Sequence, residues 1–176
     1  MGGGRAAGPS TADYSGRVTD TWDPSAAGVL RLPSGRLVRG RGLYHGRERA
    51  SAESAAAGAA GAPDPEFGLY VLGRRPPETT WPMRWVHWPD FWVPRDRAAA
   101  VEAIRDAWDR TGSQRVEVGC AGGRGRTGTV LSCIAVLDGV PQSEAVAYVR
   151  AHYHPKAVEA PWQRRFVRSF PTTGAR

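Results

Sequence analysis

Apolar residues follow two different periods along the second half of the chain, and each period predicts a type of element. The continuous apolar run FGLYVL predicts a buried strand, and the shorter runs MRWVHW and RVEV predict two more. Between the last two runs, Val101, Ile104 and Trp108 recur at i, i+3 and i+7. This spacing predicts a helix from about residue 95 to residue 110.

Three more helices are predicted after RVEV. The run GRTGTVLSCIAVLDG predicts a buried helix that Gly139 stops, SEAVAYVRAHY an amphipathic helix and APWQRRFVRSF a final one. Nearer the N-terminus, two short alternating runs flank Pro33-Ser34-Gly35, which predicts a β-hairpin. The predicted class is therefore α/β, with a central mixed or parallel sheet flanked by helices and an N-terminal hairpin.

The domain organisation follows from length and low-complexity segments. A single domain is predicted over residues 21–170, because 176 residues suffice for one core. Residues 1–20 lack periodicity and predict a disordered tail, and 171–176 form a short C-terminal tail. The alanine-rich stretch 51–65 is either a flexible insertion or a short helix that Gly and Pro end. Since no apolar run suits a secretory signal or a membrane span, a cytoplasmic protein is expected.

Composition narrows the choice of ligand only slightly. The net charge is +7 and Lys156 is the only lysine, so arginine carries nearly all of the positive charge. That balance suits an anionic ligand, but an arginine-rich proteome of a GC-rich bacterium would produce it equally well. The two cysteines make no disulfide framework, and no Cys or His pair has metal-ligand spacing. Neither nucleic acid as a partner nor stable membrane insertion is expected.

The glycine-rich stretch VEVGCAGGRGRTGT, at the junction of a predicted strand and helix, carries the candidate chemistry. One interpretation is a dinucleotide-binding loop, because Gly123, Gly125 and Gly128 satisfy G-x-G-x-x-G. That fold also needs a second parallel strand and an acidic residue about 20 positions further on, to hold the ribose. The chain has the helical run AVAYVR there instead, and Asp138 comes too early. The dinucleotide interpretation is the weakest one.

The other interpretation starts from the spacing of a cysteine and an arginine. Cys120, Arg126 and Thr127 form the pattern C-x5-R-T. Five residues between Cys and Arg, four of them small, allow the backbone amides to converge on an anion at a helix N-terminus. The guanidinium of Arg126 would bind two phosphate oxygens as a planar fork. The amides that would form this cradle belong to Ala121, Gly122, Gly123, Arg124, Gly125 and Arg126.

The same surroundings make Cys120 a candidate nucleophile. A helix N-terminus and a neighbouring cation favour the thiolate, which can accept the phosphoryl group and form a phosphocysteine. Thr127 is expected to donate a hydrogen bond to the sulfur as it leaves again. The reaction also needs a general acid, and Asp90 in HWPDFWVP stands thirty residues upstream, in a segment that could act as a lid. Lid and loop together are a far more specific signal than either motif alone.

These two motifs, in this order and spacing, resemble those of the cysteine-dependent protein-tyrosine phosphatase superfamily. The short length looks like its dual-specificity branch, and the resemblance covers about residues 66–170. It implies a protein-tyrosine-phosphatase-like fold, a phosphorylated protein or other phosphate monoester as substrate, and no metal or organic cofactor. Near the C-terminus, YHPKAVEAPWQRRFV is similar to a family segment whose glutamine, here Gln163, helps position water in the second step.

Two positions leave alternatives open. The family usually has histidine before the nucleophile where this chain has Gly119, so a slow enzyme or a phosphate-binding module without turnover is conceivable. Arg124 inside the loop resembles the phosphoinositide-hydrolysing members, although a solvated arginine is the simpler interpretation. Phosphotyrosine, phosphoserine or phosphothreonine, phosphoinositides and small phosphate esters all remain candidate substrates.

The remaining candidates are expected to be structural. Cys133 should be a core residue, with a small chance of trapping oxidised Cys120 as a disulfide. His45 and His87 have no partners at metal or triad spacing and should also be structural. Four tryptophans are expected to form the hydrophobic base of the lid: Trp81, Trp85, Trp88 and Trp92.

Overall fold

A five-stranded mixed sheet lies at the centre of the computed structural model, which describes residues 21–44 and 63–172. Its strands are β1 (Val29–Arg31), β2 (Leu37–Gly42), β3 (Phe67–Leu72), β4 (Met83–His87) and β5 (Val116–Cys120). They lie in the order β1-β2-β5-β3-β4, in which β1 and β2 are antiparallel and the other neighbours are parallel. The predicted mixed sheet and N-terminal hairpin are confirmed.

Several expectations fall outside the described residues. They concern the predicted tail at 1–20, most of the alanine-rich insertion, His45 and the last four residues of the chain. The single-domain organisation and the domain bounds therefore stay predictions.

Four helices of the described ranges accompany the sheet. They are α1 (Arg97–Arg110), α2 (Gly125–Leu137), α3 (Ala145–His152) and α4 (Pro161–Arg168). The α2 helix is buried almost throughout and contacts each of the other three, which explains its nearly continuous apolar sequence. Gly139, at φ +109, follows it in a conformation that favours glycine. No described helix has both the length and the apolar character that a membrane crossing requires.

The α1 helix begins where expected but turns a different face to the core. Asp96 caps it by accepting a hydrogen bond from the amide of Ala99 at 3.0 Å. Three alanines and Ile104 form the buried stripe, whereas Val101 and Trp108 are only partly buried at its borders. Small side chains let the helix pack closely on its neighbours, so the large apolar residues that defined the predicted face lie at the edges of the contact.

The position of β5 determines where the chemistry can occur. This strand lies between β2 and β3 and is parallel to both, and all five of its residues are buried. In a parallel sheet, ligands bind beyond the carboxyl ends of the strands. Cys120 is the last residue of β5, and α2 begins five positions later at Gly125. The glycine loop therefore lies at this edge of the sheet, as predicted.

Candidate active site

The loop after Cys120 is fixed by backbone hydrogen bonds on its outer side. The segment after β2 extends alongside it, so that Leu43 N–H donates to Cys120 O at 2.8 Å and Tyr44 N–H to Ala121 O at 3.0 Å. On the inner side, the amide of Gly123 donates to Cys120 Sγ at 3.2 Å. The positive end of this N–H dipole therefore points at the sulfur.

Glycine is required at the tightest point of the loop. Gly123 has φ +69, and a Cβ there would lie only 2.5 Å from the backbone nitrogen of Gly42. No L side chain can occupy that space without moving β2. The loop can therefore curl closely against β2 only with glycine at this position.

Arg126 connects the loop to the segment that carries Asp90. Its guanidinium is buried, donates from Nη1 to Trp88 O at 3.0 Å and pairs through Nη2 with Asp90 Oδ1 at 2.8 Å. The side chain of Asp90 itself is 64% exposed. Residues thirty or more positions apart in the sequence therefore meet at one guanidinium, with the acid at the solvent side of the loop.

The segment from 88 to 93, called the lid segment below, is supported by aromatic contacts. Trp88 is fully buried, packs on Phe166 with ring centroids 5.3 Å apart, and donates from Nε1 to Trp92 O at 2.7 Å. Trp162 donates to the carbonyl of Phe91, and its ring lies 4.9 Å from that of Trp92. The C-terminal helix α4 thus supports the lid segment from two sides.

The expectation that four tryptophans form one base is met only in part. Trp88 and Trp92 belong to the lid contacts. Trp81, in contrast, donates to the hydroxyl of Tyr70 at 2.9 Å, and Trp85 packs in the cluster that contains Tyr70. The prediction was wrong for Trp81 and Trp85. Trp85 is in register with Tyr70 of β3, so the two side chains lie on the same face of the sheet. Trp81 precedes β4, at the opposite end of that strand from the lid segment.

Thr127 occupies the first turn of α2, fully buried. Its hydroxyl oxygen has no hydrogen-bond partner within the described ranges, and the expected bond to the departing sulfur of Cys120 stays a prediction. A buried hydroxyl without a partner is costly, which makes it a donor available to a ligand or to a sulfur atom that moves.

Gln163 is buried against the loop rather than exposed on a terminal helix. Its Oε1 accepts from the amides of Glu159 and Ala160 at 3.0 and 3.1 Å. Its Nε2 would lie 3.4 Å from a Cβ placed on Gly125, so the amide group faces the start of α2. A turn in which Val158 adopts φ +61 leads into α4 and brings Gln163 there.

Steric contacts explain why residue 119 is glycine. A Cβ at this position would lie 2.9 Å from Cδ1 and 3.1 Å from Cε1 of Tyr70, and 3.3 Å from Leu43 Cδ2. The ring of Tyr70 is held there, because its hydroxyl donates to the buried carboxylate of Glu117 at 3.0 Å. Burial, followed by the charge of Glu117, raises the pKa of Tyr70, so the phenol stays protonated. Histidine at position 119 would need this space.

Replacing Gly119 with alanine should therefore destabilise the fold. The added methyl overpacks the contact with Tyr70, and we expect the free energy of unfolding in urea to fall by about 1–3 kcal/mol. The matched control is Gly122→Ala in the same loop, where a Cβ would meet no atom within 4 Å and the change should stay within about 0.5 kcal/mol. Equal stability of the two variants would contradict the steric explanation.

The other candidate residues are a core cysteine, a histidine of β4 and an exposed arginine of the loop. Cys133 is a fully buried core residue of α2, and burial raises the pKa of its thiol, which makes it unreactive. His87 stacks on Trp85, consistent with a structural role. Arg124 is exposed at the mouth of the loop. Within the described ranges, no group of three or more His, Cys, Asp or Glu side chains could hold a metal ion.

Comparison with protein families gives one match. The family model of the protein-tyrosine phosphatases matches residues 67–158, which is just over half of the chain. The match runs from β3 through the lid segment and the glycine loop to the turn before α4. It therefore contains Asp90, Cys120 and Arg126.

Two relatives are similar to part of the chain in sequence. Two uncharacterized proteins of Methanocaldococcus jannaschii are each 36% identical to the chain, over 91 and 88 residues. These regions are 51% and 49% of this chain, and they span 59% and 53% of the relatives' own lengths.

Among solved structures, the kinase associated phosphatase with its catalytic-site cysteine replaced by serine is similar in fold. Its TM-score is 0.65 at 15% identity, over 82% of this chain and 93% of that one. The active form of Tk-PTP has a TM-score of 0.53 at 24% identity, over 61% of this chain and 78% of that one. PTPMT1 in complex with PI(5)P has a TM-score of 0.50 at 15% identity, over 60% and 75%.

Proposed function

The chain belongs to the protein-tyrosine phosphatase family, and on that basis we propose that it hydrolyses phosphate monoesters through a phosphocysteine on Cys120. The observation that carries the proposal is the guanidinium of Arg126, which contacts both Trp88 O and Asp90 Oδ1. An anion-binding side chain, an acid and a loop with an amide directed at a cysteine sulfur meet at one point. This combination suits transfer of a phosphoryl group to a cysteine, since that step depends on positioning and charge stabilisation.

In the first step, the thiolate of Cys120 attacks phosphorus and the bond from phosphorus to the ester oxygen breaks. Protonated Asp90 donates its proton to the departing oxygen, so the alcohol or phenol leaves neutral. Arg126 binds two of the non-bridging oxygens through its planar fork, and the loop amides bind the developing charge. Asp90 is suited to this role because it lies at the solvent side of Arg126, where the leaving group must depart.

In the second step, water attacks the phosphocysteine and the bond from sulfur to phosphorus breaks. The carboxylate of Asp90 accepts the proton of that water, and Gln163, which faces the start of α2, positions the water. Thr127 donates from its buried hydroxyl to the departing sulfur, which leaves as thiolate. Inorganic phosphate is the second product, and the residues return to their starting protonation states.

The rim of the site favours an aryl phosphate as substrate. Within the described ranges, three large apolar side chains are exposed, Phe91, Trp92 and Trp162, and all three lie at the lid segment. Exposed apolar groups gathered at one place indicate a binding surface. Phe91 directly follows the proposed acid, so a phosphotyrosine ring entering the site would contact this aromatic surface. We therefore infer a protein-tyrosine phosphatase, with dual specificity as an extension to phosphoserine and phosphothreonine.

A phosphoinositide substrate is the second candidate, and Arg124 is the observation that favours it. Its side chain is exposed at the loop, where it could bind a second phosphate group. The solved complex of PTPMT1 contains PI(5)P, although that similarity concerns the fold. Phosphate release from a phosphotyrosyl peptide and from a short-chain phosphoinositide, each compared between wild type and Arg124→Ala, separates the two substrates.

A dinucleotide-binding role has the least support. Gly128, the last glycine of that pattern, serves helix packing, because a Cβ there would lie 2.7 Å from Ala157 Cβ. After α2 the described chain continues into two helices rather than into a second strand of a nucleotide-binding unit.

A cytoplasmic location stays a prediction.

Asp90→Asn tests the proposed acid. The amide cannot donate a proton to the leaving oxygen, so hydrolysis of phenyl phosphate should fall by about 10²- to 10⁴-fold. Hydrolysis of para-nitrophenyl phosphate should fall much less, since its leaving group needs little protonation. Both rates are measured without added metal, with the exposed Asp109→Asn on α1 as the matched control. Equal losses on the two substrates would argue against acid catalysis by Asp90.

A further inference from the structure

Tyr153, which directly follows α3 as its C-cap, contacts the glycine loop from outside. Its hydroxyl donates to the carbonyl of Gly123 at 2.5 Å. We propose that Tyr153 is a positioning residue that holds the loop amides in the direction required for phosphate binding. The inference rests on the proposed function, because it concerns the same loop. Neither the cysteine motif nor the lid motif contains this tyrosine.

The geometry of the peptide group explains why this carbonyl matters. In a trans peptide, the C=O of one residue and the N–H of the next point in opposite directions. A hydrogen bond that holds the carbonyl of Gly123 outward therefore holds the N–H of Arg124 inward. That N–H is one of the proposed donors to the phosphoryl oxygens, so Tyr153 controls a donor that it does not touch.

Four other carbonyls of the loop accept from adjacent elements. Those of Cys120 and Ala121 accept from backbone amides of the segment that follows β2, and those of Arg124 and Gly125 accept from the first turn of α2. At Gly123 the described partner is a side chain that reaches the loop from thirty residues away. The direction of this peptide group therefore depends on how α3 packs.

The ring of Tyr153 packs against β2 at Gly40, where no side chain intervenes. A Cβ on Gly40 would lie 2.6 Å from both Cε2 and Cζ of the tyrosine and 2.8 Å from its oxygen. Gly28, at φ +82, lies opposite Gly40, whose N–H donates to Gly28 O at 2.8 Å. Any side chain at position 40 would displace the ring and with it the hydroxyl. The N-terminal hairpin thus forms part of the surface that positions Tyr153 and, through its hydroxyl, the loop.

The hydroxyl of Tyr153 is suited to act as a donor. Burial raises its pKa, and the negative charges of Cys120 and Glu117 raise it further. The phenol therefore remains a hydrogen-bond donor at neutral pH. Tyr70 packs on the other face of β5 at Gly119, so the loop is held from both faces of the sheet.

Tyr153→Phe removes the hydroxyl and keeps the ring. Its matched control is Tyr148→Phe on the same helix, whose hydroxyl donates to Arg31 O at 2.7 Å, outside the proposed site. We expect Tyr153→Phe to lower kcat for para-nitrophenyl phosphate by about five- to tenfold. The inhibition constant of vanadate should rise by a similar factor, and that of inorganic phosphate by less, because vanadate resembles the transition state. Tyr148→Phe should leave all three values within twofold of wild type.

The outcomes separate a positioning role from a structural one. If Tyr153→Phe matches Tyr148→Phe in kcat and in vanadate inhibition, the proposal is overturned. If both variants lose activity together with a lower Tm, Tyr153 has only a structural role and the proposal also fails. If wild type shows no turnover, the proposed function fails, and vanadate binding by calorimetry still tests the loop. A selective loss of vanadate affinity in Tyr153→Phe would then support the positioning role alone.

Discussion

Cys120→Ser should eliminate phosphatase activity while leaving phosphate-ester binding intact. The serine hydroxyl is almost fully protonated at neutral pH, so kcat for para-nitrophenyl phosphate should fall by more than about 10⁴-fold. The loop amides and Arg126 are unchanged, because Sγ makes one hydrogen bond, from the amide of Gly123, that an oxygen can also accept. Calorimetry should therefore detect binding of an intact phosphotyrosyl peptide to the variant.

The control for this experiment is the other cysteine. Cys133 is fully buried in α2, so Cys133→Ala should keep kcat within about threefold while lowering stability modestly. Mass spectrometry of quenched wild-type reactions should detect a phosphoryl group on a peptide that contains Cys120. Turnover that persists in Cys120→Ser would exclude the phosphocysteine mechanism and return attention to a binding role for the loop.

Arg126→Lys is the second change expected to have a large effect. A guanidinium can bind two phosphoryl oxygens at once and also reach Trp88 O and Asp90, whereas an ammonium is a compact point charge without a planar fork of donors. We expect kcat/KM to fall by about 10²- to 10³-fold, the range for losing one preorganised donor to a developing charge. The net charge is the same in both proteins, so the loss would report geometry rather than charge.

Arg84→Lys is a suitable control for this substitution. Arg84 pairs with the exposed Glu102 at 3.1 Å, outside the loop and the lid segment, and its replacement should leave kcat/KM unchanged. The double variant Asp90→Asn with Arg126→Lys adds a test of the contact itself. Because the two side chains touch, their effects on kcat/KM should be clearly non-additive. Strict additivity, or a loss of less than threefold in Arg126→Lys, would count against the proposed role.

The local patterns of this chain could be interpreted without a structure because they depend on neighbours in sequence. Period and length predicted the strands FGLYVL and RVEV and the buried helix stopped at Gly139. The spacing of Cys120 and Arg126 predicted a tight loop between strand and helix, since four of the five residues between them are small enough for a close turn. The order of the motifs indicated Asp90 as a candidate acid. Its contact with Arg126 depends on the folding of the chain between them.

Contacts between distant elements could not be predicted in this way. Periodicity indicated that α1 has a buried face, yet the packing of three alanines decided which face it is. Likewise, nothing in the local sequence indicates that Gln163 is buried, and the turn at Val158, with φ +61, brings it against the start of α2.

Sequence alone determined the elements, the α/β class and the chemistry-bearing loop of this protein, because each depends on residues within a few positions of one another. Tertiary structure alone decided why residue 119 is glycine, how Arg126 reaches Asp90 and which hydroxyl holds the carbonyl of Gly123. The physical reason is that a side chain's partners depend on how separate elements pack, and the pattern of apolar positions records that a residue is buried without recording what lies against it.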